Sequence, residues 1–310
     1  MKRRDFLKAA AITGIASTIK LSGGMDLMAQ KVTKTSTRPD LVAVMGGDSV
    51  TMFRKAIAEF GGMSHFVKKG YKVTVKPNIG WDKSPEMAGN TNPALVAEIV
   101  KQCFKAGASE VIVFDHTCDD WKKCYANSGI EAAAKAAGAK VMPGNEESYY
   151  REISLPKAVK LKKAKVHTAI LDCDVWINVP ILKNHGGAKM TIAMKNHMGI
   201  VWDRGFFHSN DLPQCIADIC TINKPAILNI VDAYRVMKSN GPQGRSLSDV
   251  VTPKAMFMST DIVAVDTAAT NFFNQIESMP LENVKFIARA AELKIGTMDL
   301  SKLKVKKIKI

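Results

Sequence analysis

DVWINVPILKNHGGAKMTIAMKNHMGI, residues 174–200, is the stretch on which the reading of the fold turns. Val175–Val179 is a short apolar run holding β-branched and aromatic residues and closed by Pro180, the pattern of a buried strand. Directly behind it stand Lys183, Asn184 and His185, then Gly186 and Gly187, then Lys189, Lys195, Asn196 and His197. Cationic and polar groups this dense behind a buried strand match a ligand site at the carboxyl end of a parallel sheet.

The pattern extends in both directions. Upstream, Leu41–Met45, Tyr71–Val75, Glu110–Phe114 and Ala139–Met142 read as strands. They alternate with helical spacing over residues 49–60, 92–106 and 130–137, the first capped by Asp48 or Ser49 and the second opened by Asn92-Pro93. Downstream, Arg151–Leu155, Ile227–Val231 and Ala255–Met258 read as strands. Helices are expected over residues 161–171, 190–198, 212–221 and 262–274. This rhythm predicts an α/β fold: a mostly parallel sheet flanked by helices, with the site at the carboxyl ends of the strands. A sub-boundary near residues 145–160 and one continuous domain over 39–310 fit the pattern equally well.

The chain is 310 residues long with 46% hydrophobic content, enough to bury a substantial core. Its formal charge is +15, of which the first 29 residues carry +3. Alternation of Lys302, Lys304, Lys306, Lys307 and Lys309 with apolar residues suggests a surface strand more than a binding tail. At the N-terminus, Lys2-Arg3-Arg4-Asp5-Phe6-Leu7-Lys8 precedes a short run of small apolar residues and resembles a twin-arginine signal, with cleavage expected after Ala29. Residues 30–38 read as a linker. The address implies engagement of the twin-arginine translocase, a periplasmic or other extracytoplasmic location, and little occasion to meet nucleic acid. No stretch is long and apolar enough to serve as a transmembrane anchor.

Seven short motifs occur in order: VKPNIG at 75–80, TNPALVAEIV at 91–100, VIVFD at 111–115, INVPILKNH at 177–185, MKNHMGI at 194–200, NIVDAY at 229–234 with NGPQG at 240–244, and STDIVAVDTAA at 259–269. Together they resemble the family carrying the domain of unknown function 362 (DUF362), over about residues 41–290. Many relatives in that family look like iron–sulfur proteins, with an appended ferredoxin module. This chain has six cysteines and no C-x2-C-x2-C run, so the resemblance does not carry an iron–sulfur cluster to it.

Two chemistries are legible in the residues. Asp115 and Asp232 each follow an apolar run directly, and such strand ends converge in a parallel sheet. With His185 and His208 they form a candidate set for a divalent or transition metal. Asp261, Asp266, His116 and His197 are weaker alternatives. The second chemistry is cationic. Lys76, Lys183 and Lys195, with Asn78, Asn196 and the amides of Gly186 and Gly187, would hold a phosphate or carboxylate. A buried lysine among them, Lys183 or Lys195, is the candidate nucleophile or base. The expected activity is a metal-dependent or redox enzyme of the cell envelope acting on a small anionic substrate; the alternative is a non-catalytic protein that binds a cofactor or anion. Oxidation outside the cytoplasm would permit Cys118–Cys124 or Cys215–Cys220. No Gly-x-Gly-x-x-Gly, Walker or Gly-x-Ser-x-Gly pattern supports nucleotide binding or serine hydrolysis.

Overall fold

A computed structural model describes residues 38–310. The signal reading and nearly all of the linker fall on residues 1–37, outside the described part.

The first half alternates as its sequence predicts. Strand β1 (Leu41–Met45) leads into α1 (Ser49–Glu59), whose first turn is capped by Asp48 accepting from the amides of Val50 and Thr51. Strand β2 (Lys72–Pro77) is followed by α2 (Pro93–Lys105), with Asn92 as its cap and Pro93 at its first position. Then come β3 (Glu110–Val113), α3 (Trp121–Asn127), α4 (Ile130–Ala136) and β4 (Lys140–Val141).

The second half departs from expectation in two places. Residues 161–171 are not one helix. Lys163–His167 is strand β6, paired antiparallel with β5 (Tyr150–Ser154), and only Thr168–Leu171 (α5) is helical. The reason lies in the period: Lys163 and Lys165 are exposed while Ala164 and Val166 are buried, an alternation of two rather than of three or four. Beyond β7 (Val175–Val179), Ile181–His185 is strand β8. Gly186 and Gly187 then turn the chain into β9 (Lys189–Thr191), so the expected helix over 190–198 begins only at Ala193, as Ala193–Asn196 (α6) continued by a 3-10 turn over His197–Ile200. Helices α7 (Gly205–Ser209) and α8 (Leu212–Ile219) follow. The long strand β10 (Leu228–Met237), the short β11 (Val250–Val251) and β12 (Ala255–Ser259) come next. Helices α9 (Ile262–Phe273) and α10 (Lys285–Glu292) and the lysine-rich edge strand β13 (Val305–Lys309) complete the chain.

The main sheet runs β13-β1-β12-β10-β7-β2-β3-β4, and only the pairs of β12 with β1 and β10 are antiparallel along that path. Strand β10 is long enough to pair in parallel first with β7 and then, past the break at Pro180, with β8. The sheet separates two apolar layers. Val42, Val73, Val75, Ile177 and Ile230 pack on one side with residues of α1, α2 and α4. Trp176, Val231 and Phe257 pack on the other with α8, α9 and α10. Among the described residues no helix is long and apolar enough to cross a membrane.

One polar row crosses this apolar sheet. Lys76 on β2 is in register with Asn178 on β7, Asn178 with Asn229 on β10, and Asn229 with Ser259 on β12. Register partners share a face, so the four side chains stand together on the side of α6 and α9. All four are buried. Unpartnered, each would cost on the order of 1–3 kcal/mol. They are partnered: Asn178 Nδ2 donates to Asn229 Oδ1 (2.9 Å) and to the Ala193 carbonyl (3.0 Å). Asn196 Nδ2 donates to Asn178 Oδ1 (2.8 Å), carrying the row out of the sheet to α6.

Candidate functional site

The polar row ends in a cavity. Where β2, β3 and the β7–β8 junction finish, Lys76, Asn78, Asp115 and Lys183 open into a space of about 380 Å³. Lys195 and Asn196 reach it from α6, His185 from β8, and Arg204 and His208 from the segment at α7; Trp81 and Pro242 close its rim. This volume lies in the range of small-molecule sites.

Lys76 anchors the floor. Its Nζ lies 2.7 Å from Asp115 Oδ1 and donates to Asn196 Oδ1 (2.9 Å) and the Pro77 carbonyl (3.0 Å), so all three of its protons are engaged. Both partners of the ion pair are about 2% exposed or less. Burial pushes the Lys76 ammonium below its ordinary range, and the Asp115 carboxylate opposes that push. Asp115 in turn accepts from the Ile79 amide at 2.7 Å through Oδ2. Neither member is therefore available to a ligand as a free charge. Gly199 is packed onto the pair: a Cβ there would sit 2.5 Å from Lys76 Nζ and closer still to Asp115 Oδ1. Gly199→Ala is expected to cost about 1–3 kcal/mol by overpacking, seen as a lower urea midpoint; an unchanged midpoint would show that the pair has room to move.

Lys183 is held in the same way. Its Nζ donates to the Gly89 carbonyl (2.6 Å), the Pro242 carbonyl (3.0 Å) and, at 3.4 Å, Asn78 Oδ1. Three carbonyl oxygens suit an ammonium, which has three donors and no acceptor. Burial nevertheless brings its pKa down to about 7, with Lys195 as a nearby like charge. Arg204 is fixed by donating from Nη1 to the His116 carbonyl (3.0 Å) and from Nη2 to the Thr117 carbonyl (2.6 Å). Lys195 differs from all three. Among the described residues its amine makes no hydrogen bond and no ion pair. Burial, Arg204 and Lys76 together bring its pKa down to about 8.

The histidines divide by environment. His185 accepts the Ala188 amide through Nδ1 (3.1 Å), which leaves the proton on Nε2. Burial first, then Lys195 and Lys183, lower its pKa to about 3, so it is neutral at ordinary pH. His116 engages the Val201 carbonyl through Nδ1 (2.9 Å) and stacks on Trp202 at a centroid distance of 5.2 Å. His208 is exposed at the mouth.

Residues 73–271 match the family described as Domain of unknown function (DUF362), close to two thirds of the chain. The chain belongs to that family. It is 24% identical over 237 residues to Thylakoid-associated protein sll1697 of Synechocystis sp. (strain ATCC 27184 / PCC 6803 / Kazusa), covering 72% of each. Among solved structures it is similar to the lactate racemase apoprotein from Thermoanaerobacterium thermosaccharolyticum at 12% identity and a TM-score of 0.48, over 74% of this chain. The chain spans 56% of that protein's length.

Within this DUF362 chain the cavity gathers Lys76, Asn78, Asp115, Lys183, His185, Lys195, Asn196 and His208. Three expected residues stand elsewhere. The Gly186 amide donates to the Gly241 carbonyl (3.2 Å), and Gly186 and Gly187 form the β8–β9 turn rather than the cavity wall. Asp232 accepts from the amides of Asn92 (2.8 Å) and Tyr234 (3.0 Å), joining β10 to the cap of α2, and burial raises its pKa to about 6. The metal set of Asp115, His185, His208 and Asp232 is thus not assembled. Among the described residues no group of three His, Cys, Asp or Glu is placed to hold a metal ion. Asp261 and Asp266 are also occupied: Asp261 caps α9, and Asp266 accepts from the amides of Ala193 (2.8 Å) and Met194 (2.9 Å).

The two Lys-Asn-His triplets have different fates. In β8, Lys183 and His185 share the cavity face while Asn184 turns away to accept from the Gly241 amide at 3.1 Å. In α6, Lys195 and Asn196 face the cavity, whereas His197 is buried against Trp176 (4.8 Å between centroids) and Cys220. All six cysteines are free, five of them buried, so neither disulfide considered from spacing is formed. Sequence reasoning missed Arg204 and the pair Asn178–Asn229. The asparagines did leave a signal, a polar residue inside the apolar runs WINV and LNIV; the sequence around Arg204 left none.

Proposed function

We propose that this protein binds a small anionic organic molecule in the Lys76–Lys195 cavity. In this reading the remaining N–H groups of Arg204 hold the negative charge, Lys183 adds its field from behind the Gly89 and Pro242 carbonyls, and the Lys195 amine faces the reacting part of the ligand as base or nucleophile. The observation that carries the proposal is a charge imbalance. Four cations, Lys76, Lys183, Lys195 and Arg204, line a cavity whose one carboxylate, Asp115, is already occupied by Lys76 and the Ile79 amide. Uncompensated positive charge in a partly desolvated cleft attracts anions and raises their local concentration. The chain's Arg3-Arg4 motif supports export by the twin-arginine route, so the ligand would be met outside the cytoplasmic membrane; Arg3→Lys with Arg4→Lys is expected to leave the protein in the cytoplasmic fraction.

Calorimetric titration with malonate or inorganic phosphate tests the binding claim. Lys195→Ala is expected to lose about 1.5–3 kcal/mol, roughly 10- to 100-fold in affinity, the range of a charge-assisted contact. The sign of the pH dependence follows from the lowered pKa values. The anion favours the ammonium forms of Lys183, at about 7, and Lys195, at about 8. Raising the pH through that window removes the charges, and affinity falls by up to about tenfold per pH unit for each proton linked. Binding that is flat between pH 6 and 9, or equal in Lys195→Ala, would refute the assignment.

A further inference from the structure

Lys195 is the one lysine amine of the cavity that no hydrogen bond or ion pair holds among the described residues. Lys76 and Lys183 have their ammonium protons directed at oxygen atoms of the protein, and Arg204 directs Nη1 and Nη2 at the His116 and Thr117 carbonyls. Lys195 has no such partner among the described residues, and no carboxylate is free to pair with it. Burial and the neighbouring Arg204 and Lys76 disfavour the Lys195 ammonium and so raise the share of its neutral form, the form that attacks carbon. The same ring of charge would orient an anionic substrate, so that a second functional group on a small molecule meets the amine.

We propose that Lys195 forms a covalent imine with a small carboxylate that also carries an aldehyde or ketone, the 2-oxo carboxylates being the smallest members of that class. This rests on the anion-site reading. The neutral Lys195 amine adds to the carbonyl carbon: the C–N bond forms and the carbonyl π pair moves to oxygen. The resulting carbinolamine oxygen takes one proton from the former amine and a second from a donor, and leaves as water. The product is an iminium that keeps one proton on nitrogen. His185, neutral and with its proton on Nε2 at the cavity wall, is placed to hydrogen-bond the departing oxygen, and a hydronium ion from solvent supplies the second proton. No oxidant or reductant is needed. The carboxylate of the bound molecule stays against Arg204, in the field of Lys183.

Incubation of the folded protein with pyruvate, glyoxylate or 2-oxoglutarate and sodium cyanoborohydride, followed by peptide mass mapping, tests this directly. The expected result is one reduced adduct, on Lys195, formed at least tenfold faster than on exposed lysines such as Lys68. It is absent in Lys195→Arg, which keeps the charge and serves as a folding control by circular dichroism. Malonate, which has no carbonyl to attack, should slow the labelling. Adducts spread over surface lysines, or none on Lys195 with any of the three probes, would overturn the imine. If malonate still binds by calorimetry in that case, the anion site stands without it. Labelling of Lys195 that malonate does not slow would instead count against the anion site.

Discussion

Asp115→Ala is expected to destabilise the protein by about 3–5 kcal/mol, because it leaves Lys76 buried and uncompensated. The size of this effect reflects the cost of the unpaired ammonium rather than the strength of the pair. Lys76 lies buried at the end of β2, and the Asp115 carboxylate is the one anion at its Nζ, 2.7 Å away. Removal of Asp115 also frees the Ile79 amide, which it binds at 2.7 Å. The double change Lys76→Met with Asp115→Leu removes both charges and should recover most of the loss, since an apolar pair of similar volume is often as stable as a buried ion pair. Urea unfolding of the three variants measures this. A loss below about 1 kcal/mol for Asp115→Ala would mean that Lys76 sheds its proton when unpaired.

The second large effect is expected at Asp266, which no ligand touches in this account. Its carboxylate accepts from the Ala193 and Met194 amides, at 2.8 and 2.9 Å, and so fixes the first turn of α6, the turn that carries Lys195 and Asn196 to the cavity. Asp266→Ala leaves two buried amides without acceptors, at about 1–3 kcal/mol each before relaxation. Anion affinity should fall with it, although no charge in the cavity has changed, because α6 is no longer held at the end of the polar row. Asp266→Asn should be milder, since its oxygen can take one of the two amides while its NH2 group faces the other. Burial raises the Asp266 pKa to about 8 against the pull of those two amides. If Asp266→Ala unfolds at the wild-type urea midpoint and binds malonate as tightly, α6 is fixed by other contacts.

Most of the fold was legible because apolar period and helix caps carry it. Val175–Val179 reads as a strand from five residues; Asp48 and Asn92 announce their helices by accepting free amides, and Pro93 by having no amide to satisfy. The errors fall where pairing partners decide the outcome. Lys189–Thr191 becomes a strand because the Gly186–Gly187 turn lays it against β8, a long-range fact that no window of local propensity contains. The candidate site was legible in part. Lys76, Lys183 and Lys195 stand out as cations at the ends of apolar runs, and all three reach the cavity. Asp232 follows an apolar run just as Asp115 does, yet it faces the cap of α2 instead. Asp232 lies inside β10 rather than at its end, in register with Met256 and Ile181, and the alternation of the strand turns it to the face opposite Asn229.

The central claim is that Lys195 is an unpaired amine in a cavity built for anions. The most direct measurement is its own titration, followed by the 13C resonance of reductively methylated lysines, with the Lys195→Arg variant used for assignment. The Lys195 midpoint is expected near 8 in the free protein rather than the ordinary 10.5, moving upward when malonate or phosphate is added. A midpoint near that of exposed lysines, unmoved by either anion, would contradict it.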